Sequence, residues 1–258
     1  MIDAATARLL ENYFDKIFVV SIERVKDRHT QVSQQLQGLS FDFFFGIDKQ
    51  VMNWEEIKTG NAIYDEIKAK KYSQVGKGMK EGEVACALSH RGLYEEIVEK
   101  KYQRVLIFED DVLPLSENLS ELPAILEELP RDWDLVYFGY IKHEKVTAKL
   151  KCKQAFYKII SSFRLIKWNS AMIKNMLPLP YSNHLKKAGI HICTHAYAIT
   201  SQTAAHLISK QTPIAFNADN LLSYVILKGE IKAFVTEPKL FIQENHLNPK
   251  HPSIIDHL

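Results

Sequence analysis

Residues 105–112 read VLIFEDDV: four apolar side chains run straight into Glu109, Asp110 and Asp111. Three adjacent carboxylates repel one another, so a chain that keeps them together sets something positive against them. That partner is a bound cation or a set of basic side chains. Carboxylate oxygens suit hard divalent cations, and Mg²⁺ or Mn²⁺ commonly joins one or two carboxylates to substrate phosphates. The plainer reading is that Asp110 and Asp111 make turn hydrogen bonds. A second acid, Asp219, precedes Leu221, Leu222, Val225 and Ile226, which places it at a helix start. There it is either an N-cap or a general base able to take a proton from a hydroxyl.

Other candidates are weaker on spacing alone. Ser89 and His90 fall within a helical pattern, and Cys86, His90, Leu93 and Ile97 share one side of it. A histidine on such a face is usually packed, and no G-x-S-x-G turn makes Ser89 a nucleophile. His191, Cys193 and His195 alternate along a predicted strand, but residues two apart on a strand are about 7 Å apart and the outer pair about 13 Å. One ion cannot reach both outer ligands. VGKGMK at 75–80 lacks the G-x-x-x-x-G-K-[ST] pattern of a phosphate loop and reads as a flexible loop, with closure over the donor as the alternative.

The elements that must position these residues alternate. Residues 17–22, 42–47, 104–108 and 134–138 are short apolar runs expected as strands, the first buried on both faces. Helical patterns are expected at 83–101 and 116–129. After an irregular stretch at 142–187, a strand is expected near 194–200 and a helix at 201–211. A helix at 219–228 ending at Gly229 and a strand at 231–235 follow. The order predicts one α/β domain over 1–258, a mainly parallel sheet covered by helices. In such sheets ligands bind at the carboxyl ends of the strands, where Glu109–Asp111 stand.

Several blocks carry a family resemblance. GEVACALSHRGLYEEIVEKKYQRVLIFEDDV resembles the central motif of glycosyltransferase family 25, the lipooligosaccharide galactosyltransferase-type family, with its Ser-His helix before a strand ending in EDD. FVVSIERVKDR, FFFGIDKQ, THAYAITSQTAAHLI and NADNLLSYVILKGEIKAFVTEPKLFIQ are similar to further family segments. The resemblance covers most of the chain outside about 142–187. It implies a GT-A-like, Rossmann-like fold, a UDP-sugar donor (most often UDP-galactose), inverting transfer and a Mn²⁺ or Mg²⁺ cofactor. On this chain it implies metal ligation by Asp111, with Glu109 as a further ligand; His246 joins them as the tail histidine that GT-A enzymes often use, which the family pattern itself does not demand. Nucleotide-sugar contacts fall to Ser21, Glu23, Arg24, Arg28, Asp48, Ser89, His90, Glu109 and Asp110. Asp219 becomes the general base. For Arg24 and Arg28, whose guanidinium forks fit phosphate, the alternative is a solvated helix start.

The implied acceptor is a lipid-linked or anionic glycan of lipooligosaccharide or LPS type. The alternatives are a transferase for another nucleotide sugar and a non-catalytic glycan- or membrane-binding protein. Between 142 and 187, Glu144 is the lone acid against eleven Lys or Arg, with five aromatic residues interleaved. That segment is read as an acceptor or membrane contact, or as a helix packed on the domain. The net charge of +2 gives no reason to expect nucleic acid as a partner. Three dispersed cysteines argue against a disulfide scaffold. Without a signal-peptide pattern at the N-terminus, the expected location is cytoplasmic, with peripheral contact at the inner face of the cytoplasmic membrane.

Overall fold

The structure, a computed structural model, describes residues 2–73 and 76–244. Its strands are β1 (Lys16–Ser21), β2 (Asp42–Phe45), β3 (Arg104–Glu109), β4 (Val112–Pro114), β5 (Leu135–Ile141), β6 (Leu179–Pro180), β7 (Leu185–Lys187), β8 (Ile192–Thr200), β9 (Ala233–Thr236) and β10 (Phe241–Gln243). Its α-helices are α1 (Ala4–Tyr13), α2 (Lys26–Gln35), α3 (Trp54–Lys58), α4 (Glu66–Tyr72), α5 (Glu81–Glu99), α6 (Leu122–Glu128), α7 (Ala148–Ser162), α8 (Ser170–Lys174), α9 (Ser201–Lys210) and α10 (Ala218–Leu227). Eight strands form one sheet in the order β2-β1-β3-β8-β5-β9-β7-β6, and β4 pairs with β10 in a separate ribbon. β8 is antiparallel to both its neighbours and β7 to both of its own, so the other six strands share one direction.

Alternation along the strands explains the layers. Ile17, Val19, Leu106, Phe108, Val136 and Phe138 face Leu10 of α1, Val32 of α2 and Ile125 of α6. Phe18, Val105, Ile107, Leu135 and Tyr137 face Leu93 of α5, Leu207 of α9 and Leu222 of α10. Both faces of β1 and β3 are therefore covered, which is why their sequences are apolar runs rather than alternating ones. The chain thus adopts the expected α/β, GT-A-like architecture.

Two local expectations change. The helix expected at 116–129 is a single 3₁₀ turn, Leu119–Glu121, followed by α6. Pro123 lacks an N–H and is tolerated only in a helix's first turn, so α6 begins there. The stretch at 142–187 is not irregular: it contains α7 and α8 and a two-stranded edge, β6 with β7.

Where β5 passes β8 the pairing shifts register at Gly139. A Cβ on Gly139 would lie 2.5 Å from His195 Nε2 and 2.7 Å from the Phe241 carbonyl oxygen. Gly139→Ala is expected to cost about 1–3 kcal/mol through overpacking. Calorimetry should show the melting temperature falling by roughly 2–4 °C per kcal/mol. An unchanged melting temperature would mean that the sheet opens there freely.

Candidate active site

The carboxyl ends of β1 and β3, the start of β8 and the N-terminal turns of α5 and α10 surround a cavity of about 450 Å³. Nine of the sequence candidates line it: Ser21, Arg28, Asp48, Ser89, His90, Glu109, Asp110, Asp111 and Asp219. Glu23 and Arg24 do not: both are exposed, and Arg24 pairs with Asp48 at the cavity rim. His246 lies outside the described residues.

Arg28 is the positive group set against the acids. Its Nη1 is 2.5 Å from Asp110 Oδ1 and 3.9 Å from Asp111 Oδ2. Ser21 donates to Asp110 Oδ2 at 2.5 Å, so Asp110 is held through both oxygens. A doubly held carboxylate is a positioning group for Arg28, whose remaining N–H donors suit a phosphate.

Glu109 and Asp111 differ from Asp110. Thr194 donates to Glu109 Oε1, and Gln243 Nε2 donates to Asp111 Oδ2 at 2.9 Å. Asp111 Oδ1 is buried with no hydrogen-bond partner. Burial first, then the Asp111 charge, pushes the Glu109 carboxyl up to about 8. Burial also raises Asp111, against the opposing pull of Gln243 and Arg28. Two half-paired acids that resist ionising together suit a cation. No cluster of three His, Cys, Asp or Glu forms a closed cage among the described residues. The donor set fits the open kind of site instead, where two carboxylates leave positions for water and substrate phosphate.

Asp219 is not the helix cap. Asn217 has the extended backbone of an N-cap, and its side chain accepts from the Asn220 N–H. Asp219 falls in the first turn, half-buried at the cavity wall, and its Oδ2 accepts from the Cys193 N–H at 3.3 Å. Burial raises its pKa above the ordinary aspartate value. The Cys193 contact is long, and the backbone N–H groups of the helix's first turn at Asp219 and Asn220 also favour the charged carboxylate, against the burial that raises it.

The Ser-His pair lines the cavity and is also tied into the fold. Ser89 Oγ donates to the Ala85 carbonyl at 2.7 Å and accepts from the Ile47 N–H at 2.8 Å, clamping the loop after β2 onto α5. His90 Nδ1 lies 2.8 Å from the Tyr197 hydroxyl, and burial lowers the histidine to about 4, so its ring is neutral. The 191–195 series does not alternate as a flat strand. Cys193 has φ +67°, and His191 Nδ1 bonds the Lys142 carbonyl at 2.9 Å.

A second cavity of about 480 Å³ shares Glu83 and Asn217 with the first. Its walls carry Tyr72, Trp168, Phe216 and Tyr224, and Lys77 and Lys80 stand at its edge. Tyr72 stacks on Phe216 at 4.5 Å and 19°. Glu83, Thr194 and Gln243 were not singled out from the sequence. All three stand inside the segments quoted for the resemblance, which was the available signal.

Carboxylates and an arginine thus gather at the carboxyl ends of β1 and β3, beside a further acid in the first turn of α10, as a ligand site of an α/β fold does. The chain belongs to glycosyltransferase family 25: the model described as Glycosyltransferase family 25 (LPS biosynthesis protein) matches residues 14–222. It is similar to the Homo sapiens protein named inactive glycosyltransferase 25 family member 3, with 32% identity over 52% of this chain and 24% of that protein. It is also similar to procollagen galactosyltransferase 2 of Mus musculus, with 27% identity over 49% of this chain and 21% of that protein. The match thus spans about a quarter or less of those relatives' length. Mouse xyloside xylosyltransferase 1 in its apo form superposes with a TM-score of 0.41 at 12% identity, covering 89% of this chain and 78% of that one.

Proposed function

We propose that the chain is an inverting glycosyltransferase that moves galactose from UDP-galactose onto a hydroxyl of a lipooligosaccharide- or LPS-type glycan. One observation carries the reading: Asp219, released from capping by Asn217, shares a cavity with Arg28 and the Glu109–Asp111 pair. Relatives named procollagen galactosyltransferase favour galactose as the transferred sugar.

The diphosphate lies against Arg28, which Asp110 and Ser21 hold in place. Glu109 and Asp111 would hold a Mn²⁺ or Mg²⁺ ion, which supplies charge neutralisation for the diphosphate leaving group. The acceptor enters from the second cavity, past Glu83 and Asn217. Asp219 takes the proton of the attacking hydroxyl as its oxygen bonds the anomeric carbon from the face opposite UDP. The bond from that carbon to the diphosphate oxygen breaks, and UDP carries away the electron pair.

Turnover and UDP binding separate this reading from its rival, a non-catalytic binding protein, which the relatives named inactive favour. A panel of nucleotide sugars, tested for hydrolysis and transfer with and without Mn²⁺, should give UDP-galactose turnover. Metal-stimulated UDP binding without turnover of any sugar would leave the binding protein standing. The acceptor path has its own test. Tyr72→Ala removes an exposed ring from the second cavity. It should raise the acceptor KM about fivefold, the worth of roughly 1 kcal/mol of ring contact, with UDP affinity unchanged. Equal loss of both would place Tyr72 in a structural role.

A further inference from the structure

The helix α7 buries none of its residues, although it is 15 residues long and far from polar. Its two sides are nonetheless distinct. Leu150, Gln154, Tyr157 and Ser161 recur at helical spacing and hold it to the body of the protein. Leu150 and Tyr157 pack on the cluster around Ile173, Gln154 Nε2 donates to the Ile173 carbonyl at 2.7 Å, and Ser161 Oγ donates to the Trp168 carbonyl at 2.7 Å.

Among the described residues, the opposite side is left exposed. Cys152 is exposed there. Phe156, Ile159 and Phe163 follow on the same stripe at 57%, 59% and 71% exposure, and Leu165 just beyond the helix is 73% exposed. Large apolar side chains this exposed are unusual on a solvated helix, and four together make a patch. Basic residues flank the patch: Lys149, Lys151, Lys153 and Lys158 within the helix and Arg164 after it, with no acid anywhere in α7, while Lys167 is turned to the body and donates to the Lys71 carbonyl. The formal charge of α7 is +4 from its four lysines, whereas the whole chain carries only +2. A convex stripe of protruding aromatic and aliphatic tips, edged by cations, fits a surface that is anionic outside and apolar a few ångströms beneath.

We propose that the outward face of α7 docks on a lipid bilayer rich in anionic headgroups, Phe156, Ile159 and Phe163 entering the interface and the flanking lysines pairing with phosphates. No helix among the described residues is long and apolar enough to cross a membrane, so this contact is peripheral. It stands on the exposed face alone and holds whether or not the chain turns over a sugar.

The test is sedimentation of the full chain with vesicles of phosphatidylcholine alone and with about 30% phosphatidylglycerol, a mixture whose negative surface potential attracts basic segments. The parent should sediment with the anionic vesicles only, and release should follow added salt. Phe156→Ser with Phe163→Ser should weaken partitioning by roughly tenfold or more. Lys151→Gln, Lys153→Gln and Lys158→Gln together should do the same and flatten the salt dependence. Each variant changes exposed side chains, so melting temperature and UDP affinity should match the parent. A parent that stays in solution with anionic vesicles overturns the proposal, as does a double phenylalanine variant that partitions like the parent. Ultracentrifugation without vesicles checks for a second copy: self-association abolished by the phenylalanine changes would assign the face to a dimer and overturn membrane docking.

Discussion

Asp219→Asn is expected to fold, to bind UDP as the parent does, and to transfer sugar slower by a factor on the order of 10²–10⁴, the usual worth of a positioned base. The structure makes the experiment clean. Asn217 caps α10, so the substitution removes no cap. The contact that Asp219 does make, accepting from the Cys193 N–H, can be kept by an amide oxygen. What the amide cannot do is take a proton. Burial raises the Asp219 pKa, so its ionised form is lost at higher pH than for an ordinary aspartate. The acid limb of kcat/KM should therefore lie above the usual aspartate range and vanish in the variant. Stability should move the other way. A folded pKa above the unfolded value means that the native state holds the proton more tightly, so stability falls as pH rises through that window. At neutral pH the variant should melt no lower than the parent. A normally folded variant that transfers sugar at the parent rate would remove Asp219 from the chemistry and send the search to Asp48 and Glu244.

The sequence showed which residues matter more readily than how they meet. VLIFE had to be a buried strand because few other structures use an unbroken apolar run of that length between polar flanks, and β3 is that strand. The acids after it were legible for the same reason: charge at the end of a buried strand is conspicuous. Their partner was not. Arg28 is 82 residues from Asp110, and no local pattern encodes a contact of that span. The helix-cap reading of Asp219 failed on a finer point. Asn217 and Asp219 are both good capping types two positions apart, and composition cannot say which has the extended backbone. The 191–195 series misled through its alternation, which Cys193 breaks by entering left-handed backbone. α7 stood only as one of several readings of 142–187 for a physical reason: helices are recognised by a stripe turned to a core, and no residue of this one is fully buried.

Asp111→Asn is expected to abolish the part of UDP affinity that depends on Mn²⁺ and to leave metal-free UDP binding, which rests on Arg28, near the parent value. The loss should reach at least 10–100-fold in metal affinity, since even residues behind the ligands are worth that much. The reasoning starts from the side chain's two oxygens. Oδ2 accepts from Gln243, a bond that an amide oxygen preserves, so the fold should survive. Oδ1 is buried with no protein partner, and it is this atom that the substitution turns from an anionic acceptor into a donor that repels a cation. The neighbouring Glu109 sharpens the expectation. With both carboxyls raised, chiefly by burial and then by each other's or Asp110's charge, the pair resists full ionisation near neutral pH. Binding a divalent cation must then expel protons, so Mn²⁺ affinity in the parent should rise with pH up to about 8 and weaken below it. Isothermal titration of UDP with and without Mn²⁺, in buffers of differing ionisation enthalpy, measures both the affinity and the protons released. In Asp111→Asn the proton release should shrink together with the metal-dependent affinity. Metal-dependent UDP binding that is unchanged in the variant, with its proton release intact, would show that the ion sits elsewhere and would leave Asp111 as a buried acceptor for Gln243.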